Sequence, residues 1–206
     1  MFKTIKENVV GEITEKKSKF IANIFYVESI EEAEEIIKQT KKKYYDARHN
    51  CFAYKINKDN ISRFSDDGEP SGTAGAPILN ILNGRELDNI LVIVTRYFGG
   101  ILLGTGGLVR AYSDATIDAL EKAILVSKVY GNICTLEMDY PEFENVKYYL
   151  KNENIDIKKS EYAEKIKVTV ELTDEEVERI KEKIDSRSLN ILEFEIIDKK
   201  YILKEV

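Results

Sequence analysis

The sequence predicts an α+β protein of two domains, and three observations carry that expectation. The last third reads strand, helix, strand, strand, helix, strand (NICTLEMDY, PEFENVKYYLKNEN, IDIKKSEY, EKIKVTVEL, TDEEVERIKEKIDS, LNILEFEIIDKKYIL), the split βαβ order of a ferredoxin-like domain. The preceding two-thirds instead mixes paired strands with helices. Charge divides at the same place: residues 1–130 carry 18 Lys and Arg against 18 Asp and Glu, whereas 131–206 carry 13 against 19, so the whole net charge of −6 lies in the last third. A boundary is therefore expected near Gly131, giving domains 1–130 and 131–206. With 206 residues, 43% of them hydrophobic, either domain can bury a core.

Taken in order, TIKENVVGEITEKKSKFIANIFYV predicts two strands joined by a Glu/Lys-rich turn, with Val10, Ile13, Phe20, Ile21, Ile24 and Phe25 in imperfect alternation. A helix follows. Ser29 and Glu32 make a capping-box pattern, Ala33, Ile36, Ile37 and Thr40 recur at helical spacing, and the basic run Lys41 to Lys43 complements the dipole at its end. HNCFAYKI and ISRF, separated by NKDN, predict a hairpin. A short helix is expected from about Thr73, with Pro77 in its first turns and Gly84 as its stop. NILVIVTRY, a continuous apolar run rich in β-branched residues, predicts a buried strand. A longer helix should run from about Gly106 to Val126, with Thr105 as N-cap and Leu108, Tyr112, Ala115, Ala119 and Ala123 on one face. In the last third, Pro141 and the capping box Thr173 to Glu176 mark the two helix starts.

Function is expected between Phe64 and Ala115, where nine of the eleven glycines fall. Glycine costs backbone entropy, so its concentration there argues for two shaped loops. Gly106→Val should accordingly collapse the second loop or destabilise the fold.

Three blocks, DARHNCFAY (Asp46 to Tyr54), FSDDGEPSGTAGAPIL (Phe64 to Leu79) and VTRYFGGILLGTGGLVRAYSDA (Val94 to Ala115), resemble the signatures of the YigZ/IMPACT family in order and spacing. The likeness is strong over the N-terminal two-thirds and weaker beyond, where the chain resembles the C-terminal domain of bacterial YigZ-type members. The resemblance implies an N-terminal β/α fold like the second domain of a small-subunit ribosomal protein, shared with domain IV of elongation factor G and with small-molecule kinases. It implies a C-terminal domain like domain V of the same factor. Both point to the ribosome or RNA as partner. Eukaryotic IMPACT members compete for the activator of a starvation-responsive kinase, which implies a translation-regulatory protein partner and a stress response; the bacterial-type C-terminal domain argues against transferring that particular partner.

Two chemistries are on offer at the loops. Gly104, Thr105, Gly106 and Gly107 precede a long helix, so free N–H groups and the positive dipole end would face one spot, while Arg96 and Arg110 could converge there on a phosphate-like anion or an RNA backbone. Arg96→Ala and Arg110→Ala should then each weaken binding and leave the fold intact. Alternatively the glycines allow tight packing, and the two arginines pair with Asp66, Asp67 or Glu69. In the first loop, Asp66, Asp67 and Glu69 among Ser65, Ser71 and Thr73 suit either a Mg²⁺ or acid–base role, or turn capping, and capping is the favoured reading. His49, the single histidine, could join Ser71 and Asp66 as a triad, but no nucleophile elbow accompanies it, and a His that orders the loops is favoured. Beside Arg96, Tyr97 is the better candidate for exposure and Phe98 for core.

Several classes are excluded. One His and the separated Cys51 and Cys134 make no zinc set, no P-loop or dinucleotide fingerprint is complete, and the Ser-Ser pattern of the kinases sharing the fold is missing, so no metal, NAD or ATP is expected. No apolar run approaches the ~20 residues of a membrane span and no signal-peptide core is present, so the expected compartment is the cytoplasm. The acidic last third is a poor polyanion binder. Two functions remain: a non-enzymatic, translation-related binding protein presenting the glycine-loop face, and an enzyme acting on a phosphorylated or nucleotide-like small molecule in a cleft between the loops.

Overall fold

In a computed structural model that describes residues 2–58 and 60–205, the chain forms two compact units, 2–127 and 128–204. Mixed α and β structure and the two-unit organisation agree with the fold class expected.

The N-terminal unit opens with a four-residue strand, β1 (Phe2–Ile5), too short for any periodicity to announce it. The hairpin β2 (Val9–Glu15) and β3 (Ser18–Tyr26) follows. Its turn is Lys16-Lys17 with φ of 44° and 65°, the pair of positive values that matches the right-handed twist of a tight hairpin. Helix α1 (Ile30–Lys43) starts where Ser29 accepts a hydrogen bond from Glu32 N–H. Next come β4 (His49–Ile56), β5 (Ile61–Ser65), α2 (Gly75–Gly84), β6 (Ile90–Tyr97) and α3 (Gly104–Glu121).

The sheet order is β2-β3-β6-β4-β5, with each of these neighbouring pairs antiparallel. Because β6 lies at the centre it is covered on both faces, and this is why its sequence is an uninterrupted apolar run rather than an alternating one. Ile90, Val92 and Val94 join Phe20, Ile24, Cys51 and Ala53 under α2 and α3, while Leu91 and Ile93 join Phe52, Tyr54 and Ile56 under α1. Each of the buried Ile, Leu, Val and Phe side chains contributes about 1.5–3 kcal/mol. Helix α3 crosses β2 so closely that a Cβ on Gly11 would lie 2.5 Å from Ala119 N, and Asp118 accepts the Glu12 N–H.

The second unit is β7 (Leu125–Met138), a short 3-10 turn (Tyr140–Glu142), α4 (Phe143–Asn152), β8 (Ile157–Tyr162), β9 (Ile166–Leu172), α5 (Asp174–Asp185) and β10 (Glu193–Glu205). Its strand order β10-β7-β9-β8 is that of a ferredoxin-like sheet. Val146, Leu150, Val177 and Ile180 pack on Cys134, Leu136, Val168 and Val170 in its core. Strand β7 passes straight through Gly131, which is a close-packing position, since a Cβ there would overlap Ile202.

Candidate functional site

The ends of β4 and β6 bring His49 opposite Arg96 in the sheet register. The loop from Asp66 to Ala74 folds over that end, and its carboxylates have distinct partners. Asp66 accepts from Gly72, Ala74 and Gly75 N–H at 2.8–2.9 Å, and so caps α2, whose own N-cap residue Ala74 has no side-chain acceptor. A carboxylate placed there satisfies orphan amides and complements the dipole. Asp67, at φ 43°, accepts from Asn50 N–H at 2.7 Å and pairs with Lys41 at 2.6 Å.

Glu69 is the centre of a buried network. Its Oε1 accepts from Arg96 at 2.6 Å and from the Tyr112 hydroxyl at 2.9 Å, while Glu69 and Arg96 are only 9% and 6% exposed. The Arg96 guanidinium also lies 5.4 Å from the Phe20 ring and 5.6 Å from Phe98, and its Nε has no hydrogen-bond partner among the described residues. His49 Nδ1 is 2.8 Å from the Asp67 carbonyl; a carbonyl cannot donate, so Nδ1 carries the proton and Nε2 is left facing Glu69 at 4.0 Å. Cys51 Sγ donates to the Asp66 carbonyl at 2.9 Å and lies 3.3 Å from Tyr112 Oη. Burial pushes both the Cys51 thiol and the Tyr112 phenol far above their ordinary values, with the nearby Glu69 charge adding to each. Neither group is a nucleophile at neutral pH.

At the second loop the helix starts earlier than expected. Gly104, at φ 70°, opens α3, and the N-cap position belongs to Leu103, without a side-chain cap, rather than to Thr105. Gly104, Thr105 and Gly106 are exposed and Gly107 is half-buried. Gly106 has open space where a Cβ would project and its φ is not positive, so neither close packing nor backbone conformation requires glycine there and the collapse expected of Gly106→Val does not follow. Gly99 is the position where shape is enforced: a Cβ there would overlap the Lys17 backbone.

Residues 16–120 match the Impact N-terminal domain and residues 136–188 match a domain of unknown function, DUF1949. The chain belongs to the IMPACT family. IMPACT family member YvyE of Bacillus subtilis is 37% identical over 180 residues, covering 87% of this chain and 83% of that protein. IMPACT family member YigZ of Escherichia coli is 39% identical over 145 residues, 69% of this chain and 70% of its own. A crystal structure of a protein described as hypothetical matches with a TM-score of 0.60 at 30% identity, covering 96% of this chain and 97% of that one.

Within this IMPACT-family chain the candidate residues separate into two sets. His49, Asp66, Asp67, Glu69 and Arg96 meet at the end of β4 and β6, where they are occupied with one another and with backbone groups. Gly104 to Gly107 and Arg110 lie on α3, where Arg110 is in the second turn and is exposed. Arg96 therefore faces Glu69, and removing it would strand a buried carboxylate rather than leave the fold intact. Ser71 is exposed and has no hydrogen bond to His49 or Asp66 among the described residues, so the triad does not assemble. The aromatic pair is reversed from expectation: Phe98 is 46% exposed, whereas Tyr97 is half-buried and donates to Asp46 at 2.8 Å.

Sequence reasoning missed Lys16 and Lys17. Both are exposed in the β2–β3 turn, which the Gly99 contact and the pairing of Lys19 with Tyr97 bring to the same end of the sheet as the glycine loop. Arg48, exposed just before β4, belongs to that end as well. The signal was available as a Lys-Lys turn, but nothing local says which loop it will adjoin.

Proposed function

We propose that this IMPACT-family chain is a translation-related regulatory protein that acts by binding, and that it presents the glycine-rich end of its N-terminal sheet to an RNA phosphate backbone. The observation that carries the reading is the start of α3: a first turn of small, largely exposed residues without a side-chain cap, at the sheet end that also exposes Lys16, Lys17 and Arg48. Four orphan amides and a positive dipole end attract an anion, and the surrounding cations suit a polyanion better than one small ion. Exposed Phe98 beside the loop offers a stacking face for an unpaired base. Membership of the family supports the translation context, since the family resemblance implies domains like those of a ribosomal protein and of elongation factor G.

An enzyme in a cleft between the loops would need its acid, base and cation free to meet a substrate. Here Glu69, Arg96 and Tyr112 are buried and bonded to one another, and no observation favours that alternative.

The test is a titration of the full chain with a short single-stranded RNA and with inorganic phosphate at two salt concentrations. Each charge-assisted contact is worth about 1.5–3 kcal/mol, so Arg110→Ala and the Lys16→Ala/Lys17→Ala double variant should each weaken RNA binding roughly tenfold or more. The loss should shrink as salt rises. If the wild-type chain binds neither ligand, or the variants bind RNA as it does, the reading is wrong.

A further inference from the structure

The loop between β6 and α3 exposes apolar side chains that anion binding does not use. Leu102 is 83% exposed and Ile101 42%, with Phe98 before them and Val109 on the second turn of α3 exposed as well. A single exposed leucine is ordinary, but four apolar side chains within one loop and the helix turns after it are more than scatter. The backbone holds this tip outward. Gly99 is pressed on the Lys17 backbone and donates its N–H to Ser18 Oγ at 3.1 Å, Gly100 and Gly104 take φ of 85° and 70° on either side of the tip, and Leu103 packs on the core. Cations flank it. Lys16 and Lys17 adjoin its root through Gly99, Arg110 follows Val109 on α3, and Arg48 precedes β4 at the same sheet end. All four are exposed, and none has an ion-pair partner among the described residues. The two lysines occupy positive φ, where glycine or asparagine fits with less strain, so the turn keeps its charges at a conformational cost.

We infer, resting on the reading that this sheet end binds RNA, that the form it recognises is an unpaired strand: bases turn out of the stack onto Phe98, Ile101 and Leu102 while the flanking phosphates meet Lys16, Lys17 and Arg110. A duplex turns its bases inward and offers phosphates, sugars and 2′-hydroxyls, a polar surface against which Leu102 gains nothing. Unstacked bases offer flat faces that apolar and aromatic side chains cover well. Recognition is by form and not by base sequence, because Phe98, Ile101 and Leu102 have no hydrogen-bonding group in their side chains. An anionic bilayer suits the same mixture of apolar and basic groups less well. Burying Leu102 in it drives the uncapped first N–H groups of α3 towards hydrocarbon, where nothing accepts from them.

The probes are three RNAs about twelve nucleotides long, titrated into the full chain at two salt concentrations. They are an oligouridylate, a mixed-sequence strand without self-complementarity, and the blunt duplex of that strand with its complement. Both single strands should bind alike, and about tenfold or more tighter than the duplex. The double variant Ile101→Ser/Leu102→Ser should weaken single-strand binding about tenfold with the melting curve unchanged. Because it removes no charge, that factor should be the same at both salts, whereas the loss in Arg110→Ala shrinks at the higher one. Leu102→Trp gives an indole to a chain that has none, and either single strand should quench its emission while the duplex leaves it bright. Binding to none of the three RNAs overturns the RNA reading itself, and this inference with it. Equal affinity for strand and duplex, a strong preference between the two single strands, or indifference to the double serine variant leaves that reading in place and overturns this one. Binding of the tip to phosphatidylserine vesicles in place of RNA, seen as a blue shift of the Leu102→Trp emission, overturns both.

Discussion

Replacing Glu69 by glutamine removes one negative charge and little else, since the side chain keeps its length and an oxygen that can accept from Tyr112. What it strands is Arg96. That guanidinium is 6% exposed, with its Nε already unpartnered and aromatic rings of Phe20 and Phe98 as its other neighbours. Breaking a buried ion pair from one side costs about 3–5 kcal/mol, because the remaining charge is left uncompensated in a medium that solvates it poorly. Against a typical domain stability of about 5–15 kcal/mol this is a large share. With a urea m-value of about 2 kcal/mol/M, the midpoint of the N-terminal unit's transition should fall by roughly 2 M. The chain has no tryptophan, so far-ultraviolet circular dichroism is the suitable probe. The double variant Glu69→Gln/Arg96→Met supplies the control: it removes both charges and should cost less than the sum of the singles, since an apolar replacement of a whole pair is often nearly neutral. A cost below about 1 kcal/mol for Glu69→Gln, or additive costs in the double variant, would refute the view that this pair is buried and coupled.

Gly106→Ala should stabilise the chain by about 0.5–1 kcal/mol, because the position is helical with open space, whereas Gly99→Ala should cost about 1–3 kcal/mol through overlap with Lys17; urea midpoints of the two variants must move in opposite directions. The Lys122 ammonium bonded to Asp118 holds that carboxyl below its ordinary value of 3.8, assisted by the Glu12 N–H. A group depressed in the folded state contributes stability above its unfolded value and loses it as pH falls through the folded one, so the deficit of Asp118→Asn relative to wild type should begin to shrink as pH falls below about 4 and close only below the depressed folded value, as read from melting curves against pH. The isolated 128–204 segment, which has its own core, should fold cooperatively by circular dichroism yet bind no RNA at physiological salt, because its surface is acidic.

What was legible in the sequence is what local chemistry encodes. Ser29 and Thr173 cap α1 and α5 through bonds to residues three positions on, so those helices announce their starts. The strand β6 declares itself because both of its faces are buried. The start of α3 differs from the Thr105 cap that the sequence suggests because no side chain caps it, and α2 is capped by Asp66 from eight or nine residues away, a spacing no local pattern contains. In the same way, Glu69 and Arg96 are 27 residues apart, and their pairing exists only once β4, β6 and the first loop share one end of the sheet. Composition alone could not separate a cation that binds a ligand from one already spent on a buried carboxylate.

That distinction links the buried network to the exposed face. Glu69 belongs to the first loop, Arg96 to the end of β6, and Tyr112 to α3 two turns beyond Gly104, so one carboxylate oxygen ties together the three elements that flank the open end of the sheet. Cys51 extends the tie to β4 through Tyr112. The amides of Gly104 to Gly107 are thereby held on a rigid support rather than on a mobile loop, which is what a preorganised anion site requires. The two sets of residues should therefore respond differently. Loss of Arg110 should weaken RNA binding without touching stability, whereas loss of the Glu69 charge should lower stability first and binding only through the slackened support. Binding that survives Glu69→Gln at full strength while stability falls would mean that α3 positions its own terminus, and that the network serves the fold alone.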